Sequence, residues 1–240
     1  PDPTGNRVLP VLPELTGLLP HRGLRRGSTV AVAAGHPAYS GSTSLVLALL
    51  AEASRAGSWC AVVGVPALGM VAAAEVGIAL DRLALVPHPG PEWTTVVAAL
   101  IDGVDVVVTA VPTTVSASVA SRLAARARRR GCVLVPYGRW EGADVTLRVV
   151  RGVWEGLGQG RGRLRRREVV LSARGRGAAV RPKEVRLWMP GDGSARPVVP
   201  AVTTPGSASR RSSLALHDPV TVGQNAPDEQ NRTGNRWRSQ

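Results

Sequence analysis

The sequence predicts an α/β fold with a mostly parallel central sheet flanked by helices, and three observations carry that prediction. Continuous apolar runs rich in Val and Ala recur at 29–35, 59–65, 83–87, 104–111 and 132–136. Ala-rich segments of helical character stand between or after them at 42–56, 68–80, 92–102 and 114–130. Beyond residue 144 the pattern changes to strands with no helix between them, at 145–153, 164–172 and 184–189. Strands that are apolar on both faces need a sheet covered on both sides; the late strands then extend one edge of it as antiparallel partners.

Taken in order, residues 1–27 are rich in Pro and Leu and end in Gly23-Leu24-Arg25-Arg26-Gly27, which reads as a lead-in segment. The core runs over 28–191. Its first strand enters a glycine-bounded loop, Gly35 to Gly41, from which a helix leaves at Ser42. The helix at 114–130 carries Ala117, Ala120, Leu123, Ala124 and Ala127 on one face and Arg122, Arg126 and Arg129 on the other. That stripe is either a solvated face or a docking surface for phosphate or carboxylate. Gly156 to Arg163 reads as a flexible basic hairpin tip, followed by Arg165, Arg166 and Arg167. Residues 192–240 are rich in Ser, Thr, Pro, Asn and Arg with few large apolar side chains, the composition of a disordered basic tail.

Charge is placed unevenly. Residues 1–110 hold six arginines against eight carboxylates, whereas 111–240 hold 24 cations against nine. Such asymmetry points to a polyanion or an acidic protein met by the second half. There is no Phe, one lysine (Lys183) and two cysteines. Cys60 and Cys132 each open an apolar run, and without CxxC spacing or a nearby His they read as buried thiols in a reducing compartment, not metal ligands. No apolar run reaches the roughly 18 residues of a membrane span. The opening Pro1-Asp2-Pro3 has no signal-peptide pattern and reads as a trimmed or processed start.

Several stretches together resemble a known family. Cys60-Ala61-Val62-Val63-Gly64-Val65-Pro66, then Gly77-Ile78-Ala79-Leu80-Asp81-Arg82-Leu83, then Val104-Asp105-Val106-Val107-Val108, resemble the ATPase core of RecA recombinases. Leu18-Leu19-Pro20 through Ser28 resembles the segment before the RecA-type P-loop. Within that superfamily the chain is most similar to actinobacterial ImuA-type proteins of the SOS mutasome, through its arginine-rich style, Ala56–Ala61 and the final strand Val185–Pro190. The resemblance covers about residues 9–191 and implies a RecA-like P-loop fold.

The comparison also exposes loss. In a P-loop, lysine follows the second glycine and holds the β- and γ-phosphates. Here that position is Ser42, followed by Thr43, and five residues rather than four separate Gly35 from Gly41. The water-activating glutamate of the family falls at Pro66 and the metal-ordering acid at Ala110. Phosphate clamp, water activation and metal anchoring are therefore all missing, so no catalytic residue, cofactor or metal is expected. The backbone amides at Gly41–Thr43 retain only the weak anion attraction of a helix start, about 0.3–1 kcal/mol. The connections Pro112-Thr113-Thr114 and Gly138–Asp144 are too short to line a filament groove.

Other constellations carry less. His21, His36, His88 and His217 lack ligand spacing, and Asp102 and Asp105 read as turn and capping residues. Trp154 and Trp188 read as core fillers, with base stacking beside arginines as the alternative. By resemblance, the expected function is a non-catalytic accessory protein in SOS-induced mutagenic translesion DNA synthesis. It would join an ImuB-type clamp-binding scaffold to an error-prone C-family polymerase, in the cytoplasm at the nucleoid, with no membrane partner and with self-association open. A DNA-binding module using Arg122, Arg126, Arg129, Arg161, Arg163, Arg165, Arg166 and Arg167 is the alternative; a residual NTPase is the weakest reading.

Overall fold

The structure, a computed structural model, describes residues 7–33, 41–112, 115–158, 161–176, 181–190 and 196–197, with the backbone alone at 156–158, 161–166, 190 and 196–197. All of them belong to one compact unit, Pro1–Pro200. Gly35 and His36 fall outside the described residues, as do His217 and the rest of the predicted tail apart from Arg196–Pro197.

The strands are β1 (Val8–Leu9), β2 (Leu24–Arg25), β3 (Val30–Val32), β4 (Cys60–Val63), β5 (Leu83–Val86), β6 (Val106–Ala110), β7 (Val133–Tyr137), β8 (Val145–Gly158), β9 (Arg161–Gly175), β10 (Lys183–Pro190) and β11 (Arg196–Pro197). The helices are α1 (Ser42–Arg55), α2 (Met70–Glu75), α3 (Trp93–Gly103) and α4 (Ala117–Arg130). One nine-stranded sheet has the order β11-β10-β9-β8-β3-β7-β6-β4-β5. Strands β8, β3, β7, β6, β4 and β5 pair in parallel, and β9, β10 and β11 continue antiparallel from β8. The expected α/β architecture with an antiparallel extension is present.

Period-two alternation sorts the sheet into two cores. Val30, Val32, Cys60, Val62, Val106, Val108, Val133 and Val135 face one way and pack with α1. Ala61, Val63, Val107 and Leu134 face the other way, against Trp93, Val97 and Ile101 of α3 and Leu123 and Ala127 of α4. Helix α1 is buried nearly all round, which explains its run of Leu, Val and Ala. Helix α4 starts at Ser116, whose Oγ accepts from the Val119 N–H, and ends at Gly131 in the left-handed region (φ 72°), where the chain turns into β7. Of its expected apolar face, Ala120, Leu123 and Ala127 are buried, whereas Ala117 is exposed.

Two expectations need revision. The helix predicted over 68–80 is only Met70–Glu75, because Gly77 adopts φ 88° and turns the chain toward a 3-10 turn at Leu80–Arg82. The lead-in is part of the main core. Leu9, Val11, Leu12, Leu15, Leu18, Leu19 and Leu24 are buried in one cluster with Val169, Leu171, Ala173, Leu187 and Met189. A 3-10 turn at Pro13–Leu15 packs on β10, so this segment covers one face of the antiparallel extension. The opposite face of that extension bears exposed Arg148, Arg174, Glu184 and Arg186, and its apolar members Val150, Val170 and Trp188 are only half-buried. Among the described residues, no helix is long and apolar enough to cross a membrane.

Candidate functional site

The carboxyl ends of β3, β4, β6 and β7 meet the start of α1. At such edges of open α/β sheets, ligands bind in the crevice outside the strand ends. Helix α1 begins at Gly41, which has φ 139° and no side-chain cap, so the first N–H groups of the helix face this edge. Ser42 is buried at the first helical position, and Thr43 Oγ1 shares a hydrogen bond with Tyr137 Oη at 3.2 Å. Pro66 is exposed beyond the end of β4, and Ala110 closes β6. Gly64 turns between them at φ 74°, where a methyl group would stand 3.1 Å from Ala110 Cβ.

The cation here comes from another part of the chain. β8 pairs with β3 only as far as Leu147 and then runs on past the end of β3, carrying β9 with it. In that hairpin Trp154 lies opposite Arg167. Arg167 shares its side of β9 with Val169, Leu171 and Ala173, so its side chain turns inward and only 5% of the residue is exposed. Its Nη1 lies against Gly41, 2.7 Å from where a methyl group there would stand. The same guanidinium packs on Gly152, and its Cζ sits 5.5 Å from the Trp154 ring centroid. Arg167 Nε is buried without a hydrogen-bond partner, and burial pushes the guanidinium pKa down.

Among the predicted site residues, the structure thus sets Arg167 against Gly41, immediately before Ser42 and Thr43. Arg167, expected among the contact arginines around the hairpin tip, is instead buried, because inward sidedness puts it in the core. Trp154 is not core filler either, being 43% exposed and stacked beside that guanidinium. Counting back by twos from Val169 is the sequence signal that could have separated Arg167 from its neighbour Arg166. The side chains of Arg161, Arg163, Arg165 and Arg166 fall outside the described residues.

On α4, Arg122 and Arg129 are exposed, whereas Arg126 is engaged. Its Nε donates to Asp102 Oδ1 at 2.8 Å, its Nη2 to Oδ2, and Arg130 Nε adds a third bond at 3.1 Å. The hydrogen bond from Arg126 holds the Asp102 carboxyl below the usual carboxylate range. Asp102, Arg122, Arg126 and Arg129 edge a shallow groove between α3 and α4 with Thr94 and Ala98. Asp105 is a structural joint: it accepts from Arg26 Nη1 at 2.7 Å and from the Trp59 N–H at 2.8 Å. Cys60 and Cys132 are free and buried, and burial pushes both thiols up to about 12. Among the described residues no group of three or more His, Cys, Asp or Glu is placed to hold a metal ion.

Fold and site together define a class, an α/β sheet protein whose first helix begins beneath a guanidinium supplied by an antiparallel extension. The chain belongs to the family described as the MT3502 N-terminal domain, whose model matches residues 17–142. It is also similar to the uncharacterized protein Rv3395c of Mycobacterium tuberculosis (strain ATCC 25618 / H37Rv). Identity there is 43% over 110 residues, covering 45% of this chain and 54% of the relative. The chain therefore spans about half the length of the curated relative it matches. The family match takes in β2 to β7, while Trp154 and Arg167 lie beyond it.

Proposed function

We propose that the chain is a non-catalytic adaptor of damage-induced mutagenic DNA synthesis, joining an ImuB-type clamp-binding scaffold to an error-prone C-family polymerase. The partners come from the resemblance of residues 9–191 to ImuA-type proteins. The observation that carries the absence of catalysis is the side-chain set at the strand ends: Ser42, Pro66 and Ala110 provide no cation, base or metal anchor. Arg167 adds a positive charge there but is packed against Gly41 and Gly152 and cannot move as a P-loop lysine does. The late strands β8 to β10 offer the partner a sheet face that no described helix covers. Co-purification with an ImuB-type protein tests the reading: a stable complex at micromolar concentration is expected, and its absence overturns the adaptor role.

A second reading, DNA binding, is favoured by Arg148, Arg174 and Arg186 exposed together on that face. Arg186 Nε is ion-paired with Glu168 at 3.1 Å, which leaves about two phosphate contacts on duplex DNA and a log–log salt slope near −1.8, at roughly −0.9 per contact. A slope near zero in an anisotropy titration removes it without touching the adaptor reading.

A further inference from the structure

At the amino ends of the parallel strands, opposite the edge described above, lies a cavity of about 370 Å³. We propose that it is a binding site for a small phosphate-bearing molecule, recognised by Arg25, Arg128 and Arg176 around a fixed framework of Arg26, Asp105 and Asp144.

The framework is built by the backbone. Gly27 has φ 77°, and a methyl group there would stand 3.1 Å from Arg128 Cα, so the chain after β2 runs directly against the last turn of α4. That close approach forms one wall and brings Arg25 and Arg26 beside Arg128. The opposite wall is set by Asp144: its Oδ2 accepts from the Thr29 N–H at 2.9 Å, and its own N–H donates to Thr29 O at 2.9 Å. The Arg176 N–H donates to Asp144 O at 3.0 Å, which holds Arg176 at the rim. Arg26 is fixed through Asp105, yet its Nε is buried without a partner.

The charge count leaves a surplus. Arg26 is offset by Asp105, and one Asp144 oxygen is already committed to the Thr29 N–H. Among the described residues, no carboxylate lies within ion-pair distance of Arg25, Arg128 or Arg176. Three arginines thus line one concave space with a single carboxylate in its lining, and His21 lines it too. Planar guanidinium forks suit phosphate oxygens, and several forks around one centre favour a group with two or more negative charges. Leu19, Val30 and Val145 supply an apolar wall for the organic part of such a molecule. The volume lies within the range of small-molecule sites, roughly 300–1,000 Å³. This site shares no residue with the strand-end edge or with the open face of the extension, so it stands or falls apart from the adaptor reading.

The test is calorimetric titration of the full chain with inorganic pyrophosphate at physiological salt. Saturable one-to-one binding is expected. Arg128→Ala and Arg176→Ala should each weaken it about tenfold, the loss of one charge-assisted contact. Arg139→Ala, which removes the same charge at the opposite end of the sheet, should leave the dissociation constant within about twofold, as a charge distant from the site would. Arg25→Gln, an exposed position, serves as a further variant should either alanine form fail to fold. No saturation in the millimolar range overturns the proposal; so does an equal loss in Arg139→Ala, which would mean diffuse attraction to a basic protein.

Discussion

The two ends of the parallel sheet use arginine in opposite ways. At the carboxyl end, Arg167 is drawn in from a distant strand and packed between two glycines, with an aromatic ring and no carboxylate as its described companion. At the amino end, Arg26 is also partly buried with an unpartnered Nε, but it is tied to Asp105, and three more guanidiniums border open space. A guanidinium against the start of α1 also meets the positive end of the helix dipole, whereas Arg128 sits at the favourable negative end of α4. An arginine-rich composition therefore says little until each guanidinium is located. One end is closed around its cation, and the other is open around several.

Asp105 is the residue on which the open end most depends, and its removal should give the largest effect. Asp105→Ala strips Arg26 Nη1 and the Trp59 N–H of their acceptor together. Leaving a part-buried guanidinium and an amide without their acceptor costs about 2 kcal/mol, read as a lower urea midpoint at unchanged slope. Asp105→Asn keeps an acceptor oxygen and should lose less. Equal losses would mean that charge, not hydrogen bonding, fixes Arg26.

The thiols beside that joint provide a pH test. Cys60 and Cys132 have pKa values of about 12 when folded, raised first by burial, while the unfolded chain ionises near the ordinary thiol value of 9.0. The group with the raised pKa keeps its proton in the native state after the unfolded state has lost it. Stability is thus fully present below pH 9 and falls as pH rises toward 12, by about 1.4 kcal/mol per pH unit per thiol. Denaturation midpoints should decline from pH 9 upward, and the Cys60→Ala/Cys132→Ala variant should flatten that decline. An unchanged slope would remove the thiols as its cause.

How much of this the sequence discloses depends on the range of the interaction. β3, β4, β6 and β7 were legible because each is a continuous apolar run, and α4 because its arginines and alanines separate at helical period. Helix α2 was overextended because Gly77 looks tolerable inside an Ala-rich stretch until its φ is known. The leucines between Leu9 and Leu24 follow no helical or strand period, so their burial against β9 and β10 could not be read locally. At the site, Ser42 could be placed by the spacing of the glycine-bounded loop, and Pro66 and Ala110 only through the family resemblance. The joining of Arg167 to Gly41, and of Arg26 to Asp105 (79 residues apart), is tertiary and left no local signal beyond strand sidedness.

The closed end makes the smallest and most diagnostic prediction. If Arg167 is held there by packing alone, Arg167→Met should leave stability unchanged or raise it by about 1 kcal/mol, because an apolar side chain escapes the desolvation of a buried charge. Gly152→Ala alone should cost about 1 kcal/mol, since its methyl group would stand 2.6 Å from Arg167 Nε and the guanidinium must shift. The two changes touch one contact, so the cost of Gly152→Ala should shrink by about 0.5 kcal/mol or more once Arg167 is methionine. A double-mutant cycle by urea denaturation measures this coupling. Strict additivity, or a loss above about 2 kcal/mol from Arg167→Met alone, would show that the guanidinium is a hydrogen-bonded member of this edge and make the two ends of the sheet alike.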